Sequence, residues 1–215
     1  MNVRVKICGL TRVEDVQAAV AAGAQALGFN FVPGGPRYLA DLERAHELSG
    51  AAGQALRVGV FADADVTAIE RAVQAARLNV VQLHGGETPA FGARLRQALP
   101  NGVQLWKVYR VSTVEDLARV EREAYSCEAL LLDARVAGAL GGTGRTFDWS
   151  ILDGWTRAHP VVLAGGLTPA NVAEAVARVR PAWVDTASGV ESAPGIKDAA
   201  KMRAFVNAAV SVRIS

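Results

Sequence analysis

Cysteine and histidine are scarce in this 215-residue chain, which holds only Cys8 and Cys127 and three histidines, His46, His84 and His159. Two thiols cannot build a disulfide scaffold. With no HxxxH or CxxC spacing, a structural zinc site is not expected either. Long apolar runs are missing, none approaching the ~20 residues that span a bilayer, and the opening MNVRVKICGL is too short in its apolar part for a secretory signal. Both cysteines therefore read as free thiols in a reducing cytoplasm. The 23 basic residues form no run and the net charge is only +2, so no nucleic-acid partner is expected. Mild positive charge is compatible with a small anionic ligand. Disorder is excluded by a composition that is 51% hydrophobic and 20% charged. No Pro/Gly/Ser linker, charge block or composition shift divides the chain, which predicts a single domain over residues 1–215.

What is present is an alternation. Eight short apolar runs recur: Val3–Cys8, Ala26–Val32, Leu56–Ala62, Val80–His84, Gln104–Val111, Ala129–Ala134, Val161–Gly165 and Trp183–Ala187. Most are nearly continuous in apolar residues, as strands covered on both faces require. An amphipathic, Ala-rich segment follows each, with starts marked by Thr11 and Glu14, Thr113 and Asp116, Thr88-Pro89, Thr168-Pro169, Asp63 or Asp65, and Asp198. Strand–helix alternation predicts parallel strands joined by right-handed crossovers. An open doubly wound sheet and a closed barrel both satisfy it, and the count of eight favours an α/β fold of the (β/α)8 type. At about 27 residues per unit, each repeat holds a strand, a helix and two short loops.

In such a barrel function sits on the loops after the strands. Residues far apart in sequence then meet: Cys8, Arg37, Asp63, His84, Arg110, Asp133, Gly165, Gly166, Asp185, Ser188 and Gly189. Glycine-rich turns after strands seven (Gly165-Gly166) and eight (Ser188-Gly189) occupy the common phosphate position of this fold. Gly141-Gly142-Thr143-Gly144 after strand six adds further amides, so phosphate binding is favoured over simple tight turns. Cys8 is either a small buried hydrophobe or a nucleophile or base, with Lys6 on the same strand face to supply positive charge. Asp133 follows an apolar strand, which suits a protonated general acid; pairing with Arg135 or Arg110 is the alternative. Asp185 is placed to orient a ligand hydroxyl or its own loop. Arg37 can make a planar bidentate contact with a ligand carboxylate or lie solvated. His84 is a polar wall of the site or a capping group. Cys127, in a polar stretch before strand six, reads as structural.

Lys6-Ile7-Cys8-Gly9-Leu10-Thr11, Val81-Gln82-Leu83-His84-Gly85, Leu131-Leu132-Asp133, Gly141-Gly142-Thr143-Gly144 and Asp185-Thr186-Ala187-Ser188-Gly189-Val190-Glu191 together resemble the phosphoribosylanthranilate isomerases of tryptophan biosynthesis. The resemblance runs in order from residue 4 to about residue 198. It implies a single (β/α)8 barrel in free-standing form, a monomer or homodimer. The implied reaction is an Amadori rearrangement of N-(5′-phosphoribosyl)anthranilate that needs no metal or cofactor. Carried over by position, Asp133 matches the general acid, Cys8 the general base and Arg37 the contact to the anthranilate carboxylate. The Gly142, Gly166 and Ser188 regions match the phosphate site. Two departures stand out: Gly35 and Ala187 occupy positions where the family often has serine.

Other phosphosugar barrels fit less well. The histidine-pathway isomerase family uses aspartate where this chain has Cys8, and it is visibly two-fold repeated. Indole-glycerol-phosphate synthases share the phosphate loops but rely on lysine and glutamate. A phosphosugar-binding barrel that has lost catalysis would not need both Cys8 and Asp133.

Overall fold

A computed structural model of the chain describes residues 2–123, 125–133, 149–155 and 159–212. Eight parallel strands hydrogen-bond in chain order and close on themselves through β1 and β8. They are β1 Arg4–Cys8, β2 Ala26–Asn30, β3 Leu56–Phe61, β4 Val80–Leu83, β5 Gln104–Arg110, β6 Ala129–Asp133, β7 Val161–Ala164 and β8 Trp183–Thr186. Each lies within one of the eight apolar runs, and the closed barrel that the strand count favoured over an open sheet is the architecture. The described helices are α1 Val13–Ala21, α2 Leu42–Gly50, α3 Val66–Ala75, α4 Pro89–Ala98, α5 Val114–Glu123, α6 Val172–Val179 and α7 Ala199–Val210. Between β6 and β7 the described residues include a 3-10 turn, Trp149–Leu152. After β8 come a 3-10 turn, Ser188–Val190, and a small antiparallel ribbon of β9 Glu191–Ala193 and β10 Ile196–Lys197.

Two apolar layers explain the near-continuous runs. Inward-facing residues, among them Val58, Val80, Trp106, Val108, Leu131, Val162 and Trp183, fill the barrel. Their alternates, such as Leu27, Phe29, Leu83, Leu105, Leu130 and Leu163, pack against the helices. A strand buried on both faces has no polar side to alternate with. Trp106 and Trp183 meet inside the barrel with ring centroids 5.4 Å apart, and the Arg4 guanidinium lies 4.1 Å from the Trp183 ring. The interior is therefore packed, and the space for chemistry is at the mouth where the strands end.

Helix starts follow the expected caps in four places. Thr88 caps α4 with Pro89 as its first residue, Asp65 caps α3 and Asp198 caps α7. Thr113 and Asp116 exchange reciprocal bonds to each other's amides. Two expectations need correction. Thr11 does not cap α1; its hydroxyl donates to the Gly195 carbonyl at 2.9 Å, tying the β1 loop to the ribbon. Thr168-Pro169 precedes α6 rather than starting it, because Asn171 bonds back to the Thr168 amide and the Gly166 carbonyl and closes a turn first. Asp63 is a bend residue with φ of 53°, its carboxylate accepting from the Gly86 amide at 2.8 Å.

Candidate active site at the barrel mouth

Cys8 is the last residue of β1, and Lys6 lies two residues earlier on the same inward face. Lys6 is fully buried and its Nζ donates to Asp185 Oδ1 at 3.0 Å, across the register that pairs β1 with β8. Burial opposes the ammonium, but the Asp185 carboxylate and Cys8 outweigh it and hold the Lys6 pKa above the ordinary lysine value. Arg37 and Lys197 also interact electrostatically with Cys8. Gly28 stands opposite on β2; a Cβ there would sit 2.6 Å from the Cys8 sulfur, so only glycine leaves room for the thiol. Asp185, expected to orient a ligand hydroxyl or its own loop, directs one oxygen at Lys6 inside the barrel.

Asp133 ends β6 and is buried. His84, just past β4, places Nε2 3.7 Å from Asp133 Oδ2, while Nδ1 lies 3.5 Å from the Gln82 side-chain amide. No acidic residue adjoins His84 in sequence, so the barrel alone supplies this neighbour. Residues 134–148 lie outside the described part of the chain, and with them Gly142 and Arg135.

Arg37 reaches the mouth from the loop after β2. Its Nε and Nη2 donate to the two oxygens of Glu191 at 2.7 and 2.6 Å, a planar fork of the kind expected for a ligand carboxylate but filled here by the chain itself. Lys197 donates to Glu191 Oε1 at 2.8 Å and to the Ala187 carbonyl at 3.0 Å. Burial alone would raise the Glu191 pKa, but the bonds from Arg37 and Lys197 hold it below the usual carboxylate range. For Lys197 burial wins and the pKa is lowered, despite Glu191.

The two glycine turns sit side by side after β7 and β8. Gly165 and Gly166 have φ of 91° and 67°, conformations that side chains with a Cβ rarely adopt. At Gly189 a Cβ would lie 2.0 Å from the Leu167 carbonyl oxygen, to which Thr186 Oγ1 also donates at 2.8 Å. Ser188 is exposed at the rim. Gly189→Ala is expected to lower stability by about 1–3 kcal/mol and to weaken competitive inhibition by inorganic phosphate. Urea unfolding with an unchanged midpoint would show that the two turns are not packed this closely.

Beside the mouth a cleft of about 460 Å³ runs between the ends of β4 and β5, lined by His84, Glu87, Lys107, Tyr109, Arg110 and Arg119 among others. Lys107 Nζ binds Glu87 at 2.7 Å and the Gly85 carbonyl at 2.8 Å, and Glu87 also accepts from the Asp63 amide. This cluster latches the loops after β3 and β4 to β5. Its signal in the sequence was a lysine inside an otherwise apolar strand. Glu191, which closes the last family motif, and Lys197, six residues beyond it, carry no local signal of their pairing. Cys127 is buried, and burial pushes its thiol up to about 11, in keeping with a structural role.

Residues 5–208 match the family described as N-(5′-phosphoribosyl)anthranilate (PRA) isomerase. A protein of that name from Myxococcus xanthus is 46% identical over 218 residues, covering 100% of this chain and 99% of the relative. The crystal structure of phosphoribosyl anthranilate isomerase from Thermotoga maritima superposes with a TM-score of 0.88 at 37% identity, covering 98% of this chain and 100% of that one. A phosphoribosyl anthranilate isomerase in complex with reduced 1-(o-carboxyphenylamino)-1-deoxyribulose 5-phosphate gives 0.83 at 35% identity, with the same coverage.

Proposed function

This chain belongs to the N-(5′-phosphoribosyl)anthranilate isomerase family and isomerises N-(5′-phosphoribosyl)anthranilate in tryptophan biosynthesis; we propose that it does so with Asp133 as general acid and Cys8 as general base. The order of groups around the mouth carries this reading. From β6 to β2 it runs Asp133, the Gly165-Gly166 turn, the Ser188-Gly189 turn, Cys8 and Arg37. A phosphate held by the two turns therefore sits between the strands that carry the acid and the base. All of these residues come from one copy of the chain.

Asp133 gives its proton to the ribose ring oxygen as the C1′–O bond breaks, leaving an iminium at C1′. The iminium makes the C2′ hydrogen acidic, and the Cys8 thiolate removes it to form an enolamine. Tautomerisation places a proton on C1′ and yields the ketose. The substrate nitrogen acts as the electron sink, so the scheme requires neither metal nor cofactor. Negative charge on the Cys8 sulfur is matched by Lys6, which Asp185 holds in place, and by Arg37 and Lys197. His84 flanks Asp133 as a polar wall. Arg37 takes the anthranilate carboxylate, and backbone amides of the glycine turns take the phosphate.

Purified protein without added metal or nicotinamide is expected to consume the substrate, followed as loss of its fluorescence. In deuterium oxide the product is expected to carry deuterium at C1′. Product with the C2′ hydrogen transferred intact and no solvent deuterium would sink the proton-transfer scheme.

A further inference from the structure

We propose that Glu191 is a positioning residue for substrate binding, setting the Arg37 guanidinium so that its outer edge meets the carboxylate of the substrate. This rests on the reading of Arg37 given above. Arg37 sits in the loop between β2 and α2, and an arginine stem left alone would sample many rotamers. Two contacts remove that freedom. The stem crosses the β1 turn at Gly9, where φ is 74° and a Cβ would lie 2.3 Å from Arg37 Cδ. The fork is then clamped by Glu191 through Nε and Nη2.

Glu191 is itself immobilised. Its side chain is nearly fully buried, and Lys197 binds both its Oε1 and the Ala187 carbonyl. The Lys201 ammonium donates to the Glu191 carbonyl, and the Lys197 amide donates to Asp15. One frame thus joins Arg37 to the residue preceding Ser188, so the carboxylate and phosphate ends of the ligand are registered against each other. The clamp uses the Nε–Nη2 edge of the guanidinium. Nη1 and the second Nη2 hydrogen have no acceptor among the described residues, and together they form an end-on fork for another carboxylate. Arg37 and Lys197 share the one Glu191 carboxylate, so the outer edge of the guanidinium stays open to a ligand carboxylate.

The test is a double-mutant cycle of Glu191→Gln and Arg37→Ala, read by the dissociation constants of two ligands. One is reduced 1-(o-carboxyphenylamino)-1-deoxyribulose 5-phosphate; the other is its counterpart made from aniline, which lacks the carboxylate. Glu191→Gln is expected to weaken the first about tenfold and the second less than about twofold, and to raise KM more than it lowers kcat. In the Arg37→Ala background it is expected to cost nothing further. Equal losses on both ligands would reduce Glu191 to a structural residue. Tighter binding would show that it competes with the ligand for Arg37, and additive losses would show that the two act separately. Each of these overturns the proposal. If Arg37→Ala affects both ligands equally, the carboxylate reading of Arg37 fails and the proposal falls with it. Retained binding of inorganic phosphate reports that a variant is folded. Should Glu191→Gln not fold, Glu191→Asp keeps the charge near Lys197 but cannot span the fork, and the same selective loss is expected.

Discussion

Asp133→Asn is expected to lower kcat by about 10²-fold or more, within the ~10²–10⁴-fold range of general acid catalysis, with a much smaller change in KM. The substitution keeps the shape of the side chain and its contact with His84, so β6 and the mouth should stay in place. What it removes is the proton. Without an acid at this position the ribose ring oxygen must leave as an alkoxide, and the barrier to ring opening rises. Loss of substrate fluorescence under saturating conditions measures kcat directly. Binding of the reduced product analogue, unchanged within a few-fold, would show that the site is intact. A variant that kept most of its kcat would remove Asp133 from the mechanism, whatever its burial.

Cys8→Ala is expected to cost a similar factor, about 10²-fold or more in kcat, for a different physical reason. Ring opening can still occur, but no group at the end of β1 can take the C2′ proton. The surrounding structure should tolerate the change. Gly28 leaves space beside the thiol, and Lys6 keeps its bond to Asp185 at 3.0 Å when the sulfur is gone. Removing the thiol also leaves Lys6, Arg37 and Lys197 facing a position without an ionisable partner. Product-analogue binding is therefore expected to persist while turnover falls. Rapid deuterium exchange at C2′ by Cys8→Ala at the wild-type rate would assign the base to another group.

Strand positions were legible because a barrel strand is buried on both faces, and that demand is written locally as a continuous apolar run. The candidate base and acid were legible as reactive side chains closing two such runs, Cys8 and Asp133; the role proposed for each came from the family resemblance, because strand-end position alone left both open. Capping was legible where neither a distant partner nor a competing local turn intervened. Asp65, Thr88, Thr113 and Asp198 act within three residues of themselves. Thr11, by contrast, is captured by Gly195, 184 residues away. Thr168 is bypassed because Asn171 closes a turn before the helix begins.

By itself, then, the sequence determined the number of strands and their places along the chain, and the types of group carried at their ends. Apolar periodicity and strand-end position depend only on neighbours along the chain. Tertiary structure alone decided which group holds which. Lys6 meets Asp185 across 179 residues, Arg37 meets Glu191 across 154, and His84 comes to Asp133 from another strand. These pairings exist because barrel closure brings neighbouring strands and their loops together, and a fully buried charge such as Lys6 must find a partner there. Local composition carries no trace of which partner that is.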